Sequence, residues 1–227
     1  MRRIEKLPEP AELTAWRAAN QGLPNFGYAA LTKEVAAVVK VQLLKEQGWL
    51  CAYTGLRIDG DSSHIEHLLP QQRCKESGQI HLTISYSNIV ACYPAPNCSS
   101  PVGFGAIHKG NWPRTEEWHL FVSPLSENCE SRFHFDRHGS ITPAASVDQA
   151  ANETINRLRL DHPALTRFRR QAMLVVDGLD LKQARVRLRM LQTQKTGKLD
   201  QFCFAIKPAL ERHIRRLEAI IKSRRKN

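Results

Sequence analysis

Apolar residues recur at helical spacing in two blocks of the chain, and that periodicity fades between them. In the first block, Pro10 to Ala19 reads as a short helix and Leu31 to Gln47 as a longer one. Val35, Val38, Val39 and Leu43 mark one face of the longer segment, the spacing of a helix with a buried stripe. Thr32 stands at its start as a cap, and Gly48 stands where it must stop. In the second block the pattern turns helical after Asp148 and stays so to the end. Asn152 to Leu160 forms one helix, and His162 opens the next with Pro163 in its first turn. Gly178 and Gly197 punctuate the remainder. The final helix carries Phe204, Ile206, Leu210, Ile214, Leu217 and Ile221 on one side and arginines on the other.

Between the blocks the apolar runs are short. Trp49 to Ile58 reads as a small hairpin around Thr54-Gly55. Residues 59–111 are rich in Ser, Gly, Pro and His, the texture of a long loop or of a site built on small elements. Trp118 to Val122 is a predicted strand. Arg132 to Phe135 and Ser140 to Thr142 flank Asp136-Arg137-His138-Gly139, a hairpin signal. Helices before and after short strands, without an internal repeat, predict an α+β protein.

Charge changes this picture more than composition does. With 42% hydrophobic and 24% charged residues over 227 positions, the chain can bury a core and fits one large domain or two small ones. Its net charge is +11. Residues 151–227 hold 19 Lys+Arg against 7 Asp+Glu, leaving 14 basic and 15 acidic groups in the first 150 residues. The excess therefore lies wholly in the C-terminal helical part, which points to a polyanion or an acidic protein as partner. No apolar run is long enough to span a membrane, and the opening MRRIEKLPEP lacks the apolar core of a secretory signal. A cytoplasmic protein is expected. Cys51, Cys74, Cys92, Cys98, Cys129 and Cys203 are scattered, so metal ligands or buried thiols are expected before a disulfide framework.

The chemistry-bearing segment is Ser62 to Gln71, SSHIEHLLPQ. In an extended chain His64 and Glu66 share one face and Ile65 and His67 the other. A strand end or twist at Glu66–His67 would bring those two side chains to one site. Glu66-His67-Leu68-Leu69-Pro70 resembles the first element of the HNH nucleases, whose ββα-metal site cuts phosphodiester bonds. Tyr86-Ser87-Asn88-Ile89-Val90-Ala91-Cys92 is similar to the second element, and Gly105-Ala106-Ile107-His108-Lys109-Gly110-Asn111 to the third. The resemblance implies that Glu66 binds a divalent cation, Mg²⁺ or Mn²⁺. It implies that His67 is the general base and that Asn88 fixes its ring and tautomer. The family's third element usually places His or Asn three residues before the lysine. Here that position is Ala106, so His108 and His64 both remain candidates for metal contact, and His108 for a catalytic part. Lys109 is a candidate phosphate contact. A structural zinc is not expected. Thr54 and Gly105 stand near where two of four cysteines would be, which leaves Cys51 and Cys92, with Cys98 as a further thiol.

The likeness extends over roughly residues 1–175. Gly48-Trp49-Leu50-Cys51-Ala52-Tyr53, Arg132-Phe133-His134-Phe135-Asp136-Arg137-His138-Gly139 and Glu153-Thr154-Ile155-Asn156-Arg157-Leu158-Arg159-Leu160 take part in it. It resembles the HNH subunit of Septu-type anti-phage systems, a family also found attached to retrons. That resemblance implies an HNH core embedded in a mostly helical protein. The expected divisions are an N-terminal helical segment (1–48), the ββα-metal nuclease domain (49–145) and a basic helical region (146–227). It also implies partners: an ABC/SMC-like ATPase, DNA or tRNA, and a retron reverse transcriptase with its RNA–DNA. The alternative expectation is a nucleic-acid-binding or scaffold subunit with a degenerate site, for which Ala106 and Thr54 speak.

Overall fold

The computed structural model describes residues 1–23, 26–96, 98, 102–194 and 196–224. Helix α1 (Ala11–Asn20) buries Leu13 and Trp16. Helix α2 (Lys33–Glu46) starts where the Thr32 side chain accepts from the Val35 amide, the expected N-cap bond. It stops at Gly48, whose φ of +63° suits a residue without a Cβ. The chain then doubles back through a single antiparallel bridge, Leu50 to Arg57, so the expected hairpin around Thr54-Gly55 is present as a tight turn.

Strand β1 (His64–His67) pairs antiparallel with β2 (Ile89–Cys92), in a register that sets His64 opposite Cys92 and His67 opposite Ile89. The excursion between them holds α3 (Gln71–Glu76) and two 3₁₀ turns, Ile80–Ile84 and Tyr86–Asn88. The short helix α4 (Ala106–Lys109) comes after β2. A second two-stranded sheet, β3 (Phe133–Phe135) against β4 (Ile141–Pro143), realises the hairpin read around residues 136–139. Among the described residues four helices follow: α5 (Gln149–Leu158), α6 (Pro163–Met173), α7 (Leu181–Thr193) and α8 (Cys203–Arg224). Mixed helix with two small sheets is the α+β arrangement expected.

One predicted strand is replaced by a turn. Trp118 to Val122 is not a strand; Thr115–Leu120 forms a 3₁₀ turn, at whose start the Arg114 amide donates to the Glu117 carboxylate and the Glu117 amide to the Arg114 carbonyl. Phe121 and Val122 are buried beyond it, and the Val122 amide donates to the Thr154 hydroxyl instead of a neighbouring strand. Local capping and a side-chain acceptor on α5 satisfy the backbone there, so no sheet partner is needed. The expected helix from Asn152 also begins earlier, at Gln149, because the Asp148 carboxylate caps it through the Ala151 amide.

The main apolar core joins the chain's beginning, middle and end. Val39 and Leu43 of α2, Val90 and Ala91 of β2, Phe135 of β3, Ile155 of α5, Leu165 of α6 and Leu210 of α8 all belong to it. Each large side chain among them contributes about 1.5–3 kcal/mol through burial. The sequence segments 1–48, 49–145 and 146–227 thus share that core.

Candidate active site

Strand β1 keeps strict alternation. His64 and Glu66 are half-buried on one face, while Ile65 and His67 are buried on the other. No twist brings Glu66 and His67 side by side; the two side chains leave the strand in opposite directions. On the Glu66 face, His64 Nε2 lies 3.5 Å from Glu66 Oε2, and His64 Nδ1 donates to the Pro94 carbonyl. Lys109, from α4, completes the cluster. Its Nζ donates to Glu66 Oε1 at 2.9 Å and to the His67 carbonyl at 2.8 Å, and its side chain is fully buried.

Electrostatics follow from these contacts. Burial would push the Glu66 carboxyl up, but the Lys109 ammonium and His64 hold it below the usual carboxylate range. Burial would lower His64, yet its bonds to Glu66 and to the Pro94 carbonyl leave it raised. His67 is lowered, chiefly by its own burial, so its imidazole is neutral around pH 7. The Nε2 of His67 lies 2.8 Å from the Thr83 carbonyl. A carbonyl only accepts, so Nε2 carries the proton and Nδ1 keeps the free lone pair. The Tyr28 ring packs edge-on against the imidazole at 4.7 Å, and the Tyr28 amide donates to the Thr83 hydroxyl.

Asn88 does not meet the His67 ring. Its Oδ1 accepts from the Leu69 amide at 2.8 Å, and its Nδ2 donates to the carbonyls of Leu69 and Leu82. It thereby closes the excursion between the strands one residue from Thr83, whose carbonyl holds the ring. Its influence on the tautomer is indirect. His108 lies on the outside of α4, exposed, with Nδ1 3.1 Å from the Arg157 carbonyl. His64 joins Glu66; His108 does not. Lys109 points inward onto Glu66 and not to solvent.

At the positions that correspond to the HNH family's structural-zinc ligands, where no zinc is expected here, Cys51 and Cys92 are both buried, and the Tyr93 amide donates to Cys51 Sγ at 3.4 Å. The Thr54 hydroxyl accepts from the Leu56 amide, and a Cβ built on Gly105 would stand 3.1 Å from the Thr54 methyl. Cys98 is exposed and meets Tyr93. Sequence reasoning missed Tyr28, Thr83 and Pro94. Two of these act through backbone carbonyls, which leave no mark in residue identity.

Among the described residues no group of three or more His, Cys, Asp or Glu side chains is arranged as a metal cage. A two-donor site does fit a hard divalent cation, because Mg²⁺ commonly takes one or two carboxylates and fills its remaining positions with water and substrate phosphate. Glu66 supplies one such carboxylate, and the His64 imidazole beside it would join as a ligand through Nε2 on giving up the proton it shares with Glu66 Oε2. The Nδ1 bond from His64 to a carbonyl is the arrangement that orients a ligating imidazole.

No family model matches the chain. Over 136 residues it is 27% identical to a protein of Vibrio cholerae serotype O1 biovar El Tor named "Retron Vc95 putative HNH endonuclease". The match covers 58% of this chain and 61% of that protein, so the chain spans less than two thirds of the relative's length. Among the described residues no helix is long and apolar enough to cross a membrane.

Proposed function

We propose that the chain is a metal-dependent HNH endonuclease that hydrolyses phosphodiester bonds in anti-phage defence, beside an ABC/SMC-like ATPase. The observation that carries this reading is a neutral histidine, His67, anchored through Nε2 to the Thr83 carbonyl immediately after a carboxylate paired with a second histidine. That imidazole can take a proton from water at Nδ1. Glu66 and His64 would hold Mg²⁺ or Mn²⁺, which when bound neutralises charge on the departing oxygen. Asn88 and Tyr28 keep the base from rotating, one by closing the loop that carries Thr83 and the other by packing on the ring. The HNH name of the Vibrio relative supports the same reading. Its retron context supports a defence role in company with a reverse transcriptase and its RNA–DNA.

A second reading is a nucleic-acid-binding or scaffold subunit with a degenerate site. One observation favours it: the buried Lys109 ammonium already neutralises Glu66. The two are separated by purifying the chain with its genomic neighbour's product and assaying plasmid DNA and tRNA cleavage with added Mg²⁺ or Mn²⁺. The nuclease reading requires cleavage that disappears in His67→Ala. Equal behaviour of wild type and variant, with the partner present, sinks it.

A further inference from the structure

Away from β1, β2 and α4, an open cavity of about 520 Å³ lies between α6, α8 and the β3–β4 turn. Four arginines line it: Arg137 from the turn, Arg170 from α6, and Arg212 and Arg216 from α8. None of the four forms an ion pair among the described residues. His138 and His213 add two imidazoles, and among the described residues of the lining Asp177 is the one acidic group. Met173, Val176 and Ala209 give it an apolar floor.

The cavity's shape is fixed by its walls. Arg169 is 2% exposed, and its Nε donates to the Gly139 carbonyl at 2.7 Å. Gly139 has a φ of +83°, and a Cβ there would come within 2.3 Å of the Thr166 carbonyl. The turn is therefore seated directly on α6, which presents Arg137 and His138 toward Arg170. His213 donates through Nε2 to the Leu179 carbonyl and accepts from Arg216, which sets the α8 wall. Arg170 and Arg212 are different: their guanidinium groups make no hydrogen bond to the protein among the described residues. Both residues border the cavity, and their guanidinium donors are unspent.

We infer that this cavity is a phosphate-binding site for a polynucleotide strand, separate from the Glu66–His67 centre. Guanidinium forks match phosphate oxygens bidentately and stay charged at any working pH. Four of them around an apolar floor suit a strand whose phosphates face arginine and whose sugars or bases rest on hydrocarbon. The inference rests on the proposed nucleic-acid function, but it does not require that the protein cleave.

The test is fluorescence anisotropy of a labelled 20-nucleotide single strand, as DNA and as RNA, with EDTA present so that no cleavage occurs. The full chain is compared with Arg170→Gln/Arg212→Gln and with Arg167→Gln/Arg189→Gln, which removes equal charge outside the cavity. The cavity pair should weaken binding about tenfold at low salt and lower the salt slope by about 1.4, or about 0.7 for each phosphate left unpaired on a single strand. Arg137→Gln, on the exposed turn, provides a milder variant of the same sign should the double variant fold poorly. Equal weakening in the two double variants would reduce the effect to diffuse attraction and overturn the site. Failure of the wild type to bind either strand would overturn it too. So would displacement of the strand by polyglutamate as readily as by unlabelled strand, which would assign the cavity to an acidic protein. Cleavage by wild type with undiminished binding in the cavity variant defeats the cavity alone. Specific weakening of binding, with no cleavage in the separate Mg²⁺ or Mn²⁺ assay alongside the partner, defeats the nuclease reading alone.

Discussion

The two small sheets are both antiparallel pairs, yet they are held by opposite means. Sheet β3–β4 is closed by its own turn: the Asp136 carboxylate accepts from the His138 and Ser140 amides, and residues 136–140 alone join the strands. Sheet β1–β2 has no such turn. Its strands are separated by residues 68–88, and its backbone is tied by side chains from distant parts of the chain. Gln47 donates to the Leu50 and Ala91 carbonyls and accepts from the Ala91 amide. Lys6 donates to the Ile89 carbonyl at 2.6 Å, and Lys109 to that of His67 at 2.8 Å. A pairing closed by local chemistry has only a short loop to close, although its apolar residues still pack into the shared core. One closed by buried polar side chains exists only when the whole core has assembled, and each tie is costly to remove. The candidate catalytic groups lie on the second kind.

That contrast can be broken at several points. His67→Ala should lower cleavage by about 10²–10⁴-fold, the usual worth of a positioned base, in a plasmid or tRNA assay. The β3–β4 turn should be indifferent to it. Lys109→Met should destabilise the fold by about 3–5 kcal/mol in urea unfolding, because it leaves Glu66 partly buried without its cation. Mn²⁺ should then raise the melting temperature of this variant more than that of wild type, since Glu66 Oε1 becomes available. Gly139→Ala should cost about 2–3 kcal/mol through backbone strain and collision with α6, while leaving His67-dependent chemistry in the surviving folded fraction unchanged.

The smallest expected effect is a pH dependence beside the second sheet. The Arg132 guanidinium bonded to Asp148 holds that carboxyl below its ordinary value. The stability this contributes is fully present above the unfolded carboxyl value of about 3.9. It is lost as pH falls through the lower folded value. Melting curves of wild type and Asp148→Asn should therefore converge toward acid; curves that stay parallel would deny the pair any role in stability.

Legibility in the sequence divides along the same line. Thr32, Gly48, Asp136–Gly139 and Pro163 act on neighbours a few residues away, and each does in the structure what its local chemistry requires. The alternation His64–His67 is equally readable and correctly puts His64 beside Glu66. What cannot be read is tertiary. The Thr83 carbonyl that holds His67, the Tyr28 edge and the Lys109 ammonium on Glu66 arise from chain segments 16 to 43 residues away. The segment from Trp118 misleads because its aromatic and β-branched residues suit a strand, while a cap between Arg114 and Glu117 decides its backbone.

Asn88 has a consequence for how this site tolerates change. By joining residue 69 to residue 82 through its amide, it isolates the ends of the excursion from its middle. The turn at residues 75–79 is exposed, and chain added there costs only the slow logarithmic growth of loop entropy. A reporter or tether inserted between Ser77 and Gly78 would enlarge the loop on the far side of that clasp, leaving the strand register and the histidine's seat where they are. The stretch that looks most like a liability, a long link through the middle of the site, is the place where the molecule can be extended.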